Sequence, residues 1–289
     1  MRAPVTTDPP ILRSHDEHGV LLVTFNRPHK KNAFDDAQWD AAAQALRDAR
    51  QDPRVAVVVV TGAGDSFSAG VDLSSFTKPS GPRADGHASA YHAFMEVLVD
   101  FDKPLVAAAR GVGIGIGCTL LFHCDVVYVG ESVRLRLPFV SLGLVPEGAS
   151  SAMLEAVVGS RVAAELFFAA EWIDAQRAVE TGIATRAFPD AELLDAALAR
   201  AREIARWPVG SLQATKRTLL AARRARVEQA LRAEDEGMRR QAGSPENLEA
   251  VRAFLEKRPP DFRKLRPASA EGARSEAKRS EDRKSDPVR

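Results

Sequence analysis

A chain of 289 residues, 45% of them hydrophobic, has room for one large domain or two small ones around an ordinary core. Its 40 basic and 39 acidic residues leave a net charge of +1, so no overall field favours nucleic acid or an anionic membrane, and neither is expected as a partner. Cys118 and Cys124 alone make no disulfide framework or zinc site, and no uncharged apolar run has the length of a membrane span or the position of a secretory leader. A soluble, cytoplasmic protein is expected.

Residues 1–10, ending in Pro9-Pro10, read as a flexible N-terminus. Ile11 to Arg13 and Val20 to Phe25 form two strand-like runs joined by a turn at Glu17-His18-Gly19. Asp35 or Asp36 caps a predicted helix that runs to about Arg50 and stops at Asp52-Pro53. Val55 to Val60 is an almost unbroken β-branched run, the pattern of a strand covered on both faces. Residues 76–86, rich in Pro, Gly and Ser, predict a surface loop, and residues 88–101 a helix. Strands are expected at Leu105 to Ala109 and Asp125 to Val129. From Glu147 onward helix follows helix, with one weak strand at Ala184 to Phe188. The fold class is therefore α/β, with a core over residues 11–205 and a helical region over 206–266. Residues 267–289, poor in large apolar side chains and mixed in charge, predict a disordered tail.

The most informative segment is Gly111, Gly113, Gly115 and Gly117, which lead from the Leu105 strand into the uncharged stretch Cys118 to Phe122. A glycine-rich turn that opens a buried helix leaves unpaired N–H groups at the positive end of the helix dipole, a place suited to negative charge. No Gly-Lys-Ser/Thr follows, so a nucleotide P-loop is excluded, and the spacing fails the dinucleotide fingerprint. The charge to be held reads as an oxyanion. A second segment, Phe67-Ser68-Ala69-Gly70-Val71-Asp72-Leu73, follows the Val55 strand. There Gly70 permits a close turn and the Val71 N–H would face a pocket. Two N–H groups from separate strand–turn–helix units that meet on one oxygen define an oxyanion hole.

Across residues 11–265 the chain resembles the crotonase (enoyl-CoA hydratase/isomerase) superfamily. The matching stretches are Phe25 to Phe34, Thr61 to Gly64 with Phe67 to Leu73, Lys103 through Gly117, His123-Cys124-Asp125, Leu142 to Gly148, and Ala253 to Arg258. The resemblance implies a crotonase-like spiral of ββα units, an all-helical C-terminal trimerisation region, and acyl-CoA thioesters as substrates. It also implies a homotrimer or dimer of trimers, and the N–H groups of Val71 and Ile116 as the oxyanion hole. Coenzyme A enters as part of the substrate, and no metal or redox cofactor is expected. CoA contacts are expected from Lys30, Lys31, Ser68, Ala69, Gly70, Asp72 and Leu73, and from Lys257 of a neighbouring subunit; solvated surface lysines are the plain alternative.

The chain departs from the hydratases at both of their carboxylates. One hydratase glutamate falls two residues after the glycine run, where this chain has Thr119; the other follows a proline, where Pro138 is followed by Phe139. Addition of water needs one group to activate the water and another to supply the proton at C2, so efficient hydration is not expected. Glu147, in Pro146-Glu147-Gly148, is the remaining acid. It matches the single glutamate of the Δ3,Δ2-enoyl-CoA isomerases, especially the peroxisomal type, whose Leu-Gly-x-x-Pro-Glu-Gly-x-Ser-Ser segment resembles Leu142 to Ser151. Its plain alternative is a first-turn helix carboxylate.

The related chlorobenzoyl-CoA dehalogenases carry an aspartate where Glu147 falls and a histidine nineteen residues before the first glycine of the run, which here is His92. Thioester hydrolysis or dehalogenation by Glu147 with His92 is thus a rival chemistry, and weak hydration another. His92, Thr119 and Phe139 are placed in the acyl pocket. A non-enzymatic alternative is an acyl-CoA-binding or RNA-associated scaffold served by the lysine-bearing tail.

Overall fold

The structure, a computed structural model, describes residues 8–72, 83 and 85–265. Leu73, most of the 76–86 loop and the whole 267–289 tail lie outside the described residues. Residues 1–7 of the expected N-terminal segment also lie outside the described residues; the carbonyls of Pro9 and Pro10 accept from the Asn26 side chain and main chain at 3.0 and 2.8 Å.

β1 (Ile11–His15) and β2 (Val20–Phe25) form an antiparallel hairpin. The Asp35 carboxylate caps α1 (Asp36–Gln51) by accepting from Gln38 N–H. β3 (Val57–Gly62) pairs in parallel with β2. It starts two residues later than Val55 because Val55 N–H turns back onto Asp52 and Ala56 N–H bonds Gly19. α2 (Ala90–Val99) leads to β4 (Leu105–Ala109), then come β5 (Val112–Ile114), α3 (Ile116–Thr119) and β6 (Val126–Gly130). β7 (Arg134–Arg136), α4 (Ser150–Val158), α5 (Ser160–Ala169) and β8 (Trp172–Ile173) follow. The last elements are α6 (Ala175–Glu180), β9 (Arg186–Phe188), α7 (Asp190–Ala205), α8 (Val209–Gln241) and α9 (Pro245–Leu255).

The main sheet runs β1-β2-β3-β4-β6-β9, parallel after the first pair. Alternation along its strands sorts two apolar layers. Val58, Val60, Leu105 and Ala107 face the α1/α2 side with Trp39, Leu46 and Phe94, while Val57, Val59, Val106 and Ala108 meet Leu193, Ala197 and Ala201 of α7. The deep core and the site lie on the first side.

A second sheet, β5-β7-β8, was not legible in the sequence. The glycine run does not pass straight from turn to helix. Val112 and Ile114 alternate with glycines and take up a short strand against Arg134 to Arg136. β8 is two residues long, and its Trp172 ring is overlaid by the guanidinium groups of Arg134 and Arg136 at 5.5 and 5.3 Å.

Candidate active site

Two short pairings join the glycine run to the Ser68 loop. Ser68 N–H donates to Val112 O at 3.0 Å and Ile114 N–H to Ser68 O at 2.9 Å, so Ser68 and Gly113 stand in parallel register. Val71 and Ile116 each lie three residues beyond that bridge. Val71 also bridges Phe34, where Phe34 N–H bonds Gly70 O and Asp72 N–H bonds Phe34 O. In that register Val71's own N–H points away from the Phe34 strand. Ile116 opens α3, and a first helical residue has no intrahelical acceptor. Neither N–H has an acceptor among the described residues. Gly70 is at φ 92°, and a Cβ there would stand 2.8 Å from Ile114 O; at Gly117 it would stand 2.3 Å from Ser68 O. Both glycines let the two segments lie backbone against backbone.

Glu147 ends a loop three residues before α4. Thr119 Oγ1 donates to its Oε1 at 2.8 Å, while its buried Oε2 has no hydrogen-bond partner among the described residues. Burial pushes the Glu147 pKa from an ordinary 4.5 up to about 7; the Thr119 bond opposes this, the charge of Glu234 adds to it, and the nearby Tyr91 hydroxyl opposes it. A carboxyl that titrates near neutrality is poised both to take and to return a proton.

The chain after Glu147 is fixed from three sides. Gly148 and Ala149 are both left-handed, at φ 71° and 58°. Gly148 N–H donates to Tyr91 Oη at 2.9 Å, and His123 Nε2 donates to Gly148 O at 2.8 Å. Burial pushes the His123 pKa down to about 4, so its ring is neutral. Glu234 of α8 accepts from Ala149 N–H at 2.7 Å and Ser151 N–H at 2.8 Å. Tyr91 is itself packed edge-on against Trp39, which stacks on Phe34 beside the Val71 bridge.

His92 does not join Glu147. Its Nδ1 bonds Ser89 Oγ at 2.7 Å and its Nε2 lies 3.3 Å from Asp235 Oδ1, at the edge of a cleft of about 270 Å³ between α2 and α8. Its neighbour Tyr91 reaches the Glu147 turn instead. Phe139 is buried against Phe167 of α5, with ring centroids 6.3 Å apart. Ser68 is buried and its Oγ donates to Asn32 O; half-buried Ala69 donates its N–H to Lys31 O. Lys30 and Lys31 are exposed beside this loop, and exposed Lys257 follows α9 at φ 53°. Asp72 is buried with an ion pair to Arg27 at 3.0 Å. Asp125 is structural: it accepts Leu105 N–H and pairs with buried Lys216 at 2.6 Å.

Sequence reasoning missed Tyr91, His123 and Glu234. For Glu234 a signal existed. It continues the buried stripe Lys216, Leu220, Val227, Ala230 along α8, and an acid on such a stripe needs a partner.

The sequence pattern described as Enoyl-CoA hydratase/isomerase matches residues 15–265. The chain is 34% identical to a 2,3-dehydroadipyl-CoA hydratase of Escherichia coli, over 84% of this chain and 95% of that one. It is 32% identical to enoyl-CoA delta isomerase 2 of Rattus norvegicus, over 84% of this chain and 63% of that one. A solved enoyl-CoA hydratase/isomerase of Pseudoalteromonas atlantica superposes with a TM-score of 0.82 at 35% identity, covering 88% of this chain and 99% of that one. With its matched sequence pattern and its crotonase fold, the chain belongs to the enoyl-CoA hydratase/isomerase family, whose chemistry is that of acyl-CoA thioesters.

Proposed function

We propose that this protein is a Δ3,Δ2-enoyl-CoA isomerase with Glu147 as its single acid and base. The observation that carries the reading is the Glu147 carboxyl itself: one oxygen held by Thr119, the other buried near the Tyr91 hydroxyl with no hydrogen-bond partner of normal geometry among the described residues, and the pKa pushed up to about 7. Glu147 Oε2 removes a proton from C2 of a 3-enoyl thioester. The electron pair of the C–H bond moves into the acyl system, and the dienolate charge collects on the thioester oxygen. The N–H groups of Val71 and Ile116 bind that oxygen, each such donor being worth about 3–4 kcal/mol in the transition state. The protonated Glu147 returns the proton at C4, which leaves the double bond at C2. This cycle draws on no metal or redox group.

Hydration would need a second polar group, and at the two positions where hydratases carry glutamates this chain presents a hydroxyl already bonded to Glu147 and a phenyl ring packed on Phe167. The likeness to the rat delta isomerase supports the same reading, while the likeness to a hydratase makes the product assay decisive. Lys30 and Lys31, exposed beside the Ser68 loop, are proposed to meet the CoA phosphates, with Lys257 added from a neighbouring subunit. Trp207, Leu219, Phe254 and Leu255, each more than half exposed in the C-terminal helical region, support assembly as a homotrimer or dimer of trimers. Among the described residues no helix is long and apolar enough to cross a membrane.

The proton path is tested with 3-enoyl-CoA deuterated at C2. The expected result is label at C4 of the product in a single turnover. Complete absence of label there would speak against one carboxylate carrying the proton both ways. A second expectation concerns Thr119. Thr119→Val removes a donor to the ionised carboxylate, so the Glu147 pKa rises and the rising limb of kcat against pH moves up by roughly one pH unit. Activity at pH 7 falls several-fold and recovers at pH 9. An unmoved limb would show that the bond does not act on the reacting group.

A further inference from the structure

The residues immediately after Glu147 adopt a conformation that their own sequence does not favour. Two successive left-handed residues are needed there, and the second is Ala149, whose Cβ disfavours that conformation. Ala149 is also the N-cap of α4 and has no side chain able to cap it. The cap comes from a distant helix. Glu234 is 6% exposed on α8, and its two oxygens accept the N–H groups of Ala149 and Ser151 at 2.7 and 2.8 Å. One carboxylate thus satisfies two orphan donors and fixes the direction in which the chain leaves Glu147.

We infer that Glu234 is a positioning residue for the proposed reaction: by bracketing the Ala149–Ser151 backbone it holds the Glu147 carboxyl at the substrate and places a second negative charge behind it. The inference rests on the reading of Glu147 as the base. The groups that face this pair are few. Tyr91 from α2 stands beside Glu147, with Cys118 and Thr119 from α3 and neutral His123 on the far side of the turn. Asp235, bonded to His92, follows Glu234 on α8. Apart from Glu234, the groups that touch the turn itself are neutral at pH 7: a hydroxyl on Thr119, a phenol on Tyr91 and the ring of His123. The charges of Arg223 and Lys216 of α8 reach His123 on the far side of the turn, and none of the groups that hydrogen-bond the turn is itself a cation.

Glu234→Gln tests this. A glutamine presents one acceptor and one NH2, so one of the two backbone donors loses its partner and the negative charge is gone. Losing the charge and loosening the turn both favour ionised Glu147, so its pKa moves down. Expected are a fall in kcat of about tenfold or more with KM little changed, and a shift of the rising pH limb to lower pH by about half a unit or more. Glu234→Asp, which keeps the charge but shortens the reach by one methylene, is expected to lose kcat while its limb stays nearer that of the parent.

The decisive measurement needs no turnover: the 13C-labelled Glu147 carboxyl is titrated by NMR in the parent and in Glu234→Gln, assigned by its loss in Glu147→Gln. A downward shift supports the inference even if 3-enoyl-CoA proves not to be the substrate, in which case the proposed reaction alone fails. If Glu234→Gln lowers Tm only, with the Glu147 titration and kcat per folded molecule unchanged, the inference is overturned.

Discussion

Glu147→Gln is expected to lower kcat for isomerisation of 3-enoyl-CoA by about 10³- to 10⁴-fold, with KM for the thioester little changed. The substitution keeps the shape of the side chain and its Thr119 bond, and it removes the group that carries the proton. The proposed oxyanion hole, the Val71 and Ile116 main chain on other elements, is untouched, so the residual rate reflects thioester polarisation alone.

The same variant carries a stability signature of opposite sign. The Glu147 pKa is raised in the folded protein from 4.5 to about 7, so the folded state binds the proton more tightly than the unfolded chain. Stability from this group is complete below pH 4.5, falls as pH rises between 4.5 and 7, and is lost above that. At pH 8 the buried charge opposes folding by an amount on the order of 3 kcal/mol at most. Glu147→Gln is therefore expected to be more stable than the parent at pH 8 and equal to it at pH 4, measured by urea unfolding at the two pH values. A variant that loses activity and gains stability at high pH identifies a group kept ionisable for chemistry; equal loss of stability at both values would identify a structural carboxylate.

Gly117→Ala attacks the other half of the site without touching a reacting side chain. Its Cβ would stand 2.3 Å from Ser68 O, the same oxygen that accepts Ile114 N–H. The Ser68–Gly113 bridge must open, and Val71 and Ile116, three residues beyond it on either side, lose their common register. Loss of one properly placed oxyanion donor costs about 10²–10³ in kcat. That fall is expected here while the Glu147 titration stays near 7, which separates the two parts of the site experimentally. A Gly117→Ala protein that folds and turns over normally would show that the close approach does not set the hole.

The strands of the main sheet were legible because β-branched runs such as Val57 to Val60 have few alternatives, and Asp35 announced its helix as a cap. The small second sheet was not, because a two-residue strand and a glycine-interrupted one carry almost no local pattern. In the candidate site, Gly70 marks the turn that leaves the Val71 N–H free to face a pocket, while Ile116 and Glu147 are named by the resemblance to the crotonase family and its isomerases. Side chains that act at a distance in sequence were hidden. His92 stands where the dehalogenases carry their histidine, yet its neighbour Tyr91 is the one whose hydroxyl meets the turn, since adjacent helix positions point about 100° apart. Glu234 and His123 reach the same turn from other elements, and only the folded chain brings them there.

The measurement that tests the central claim most directly is product analysis on the intact protein, incubated separately with 3-enoyl-CoA and with 2-enoyl-CoA. The proposed single carboxyl and oxyanion hole, with Thr119 and Phe139 at the hydratase positions, predict 2-enoyl-CoA from the first and almost no 3-hydroxyacyl-CoA from the second. Rapid hydration of 2-enoyl-CoA, with no migration of the 3-enoyl double bond, would contradict it.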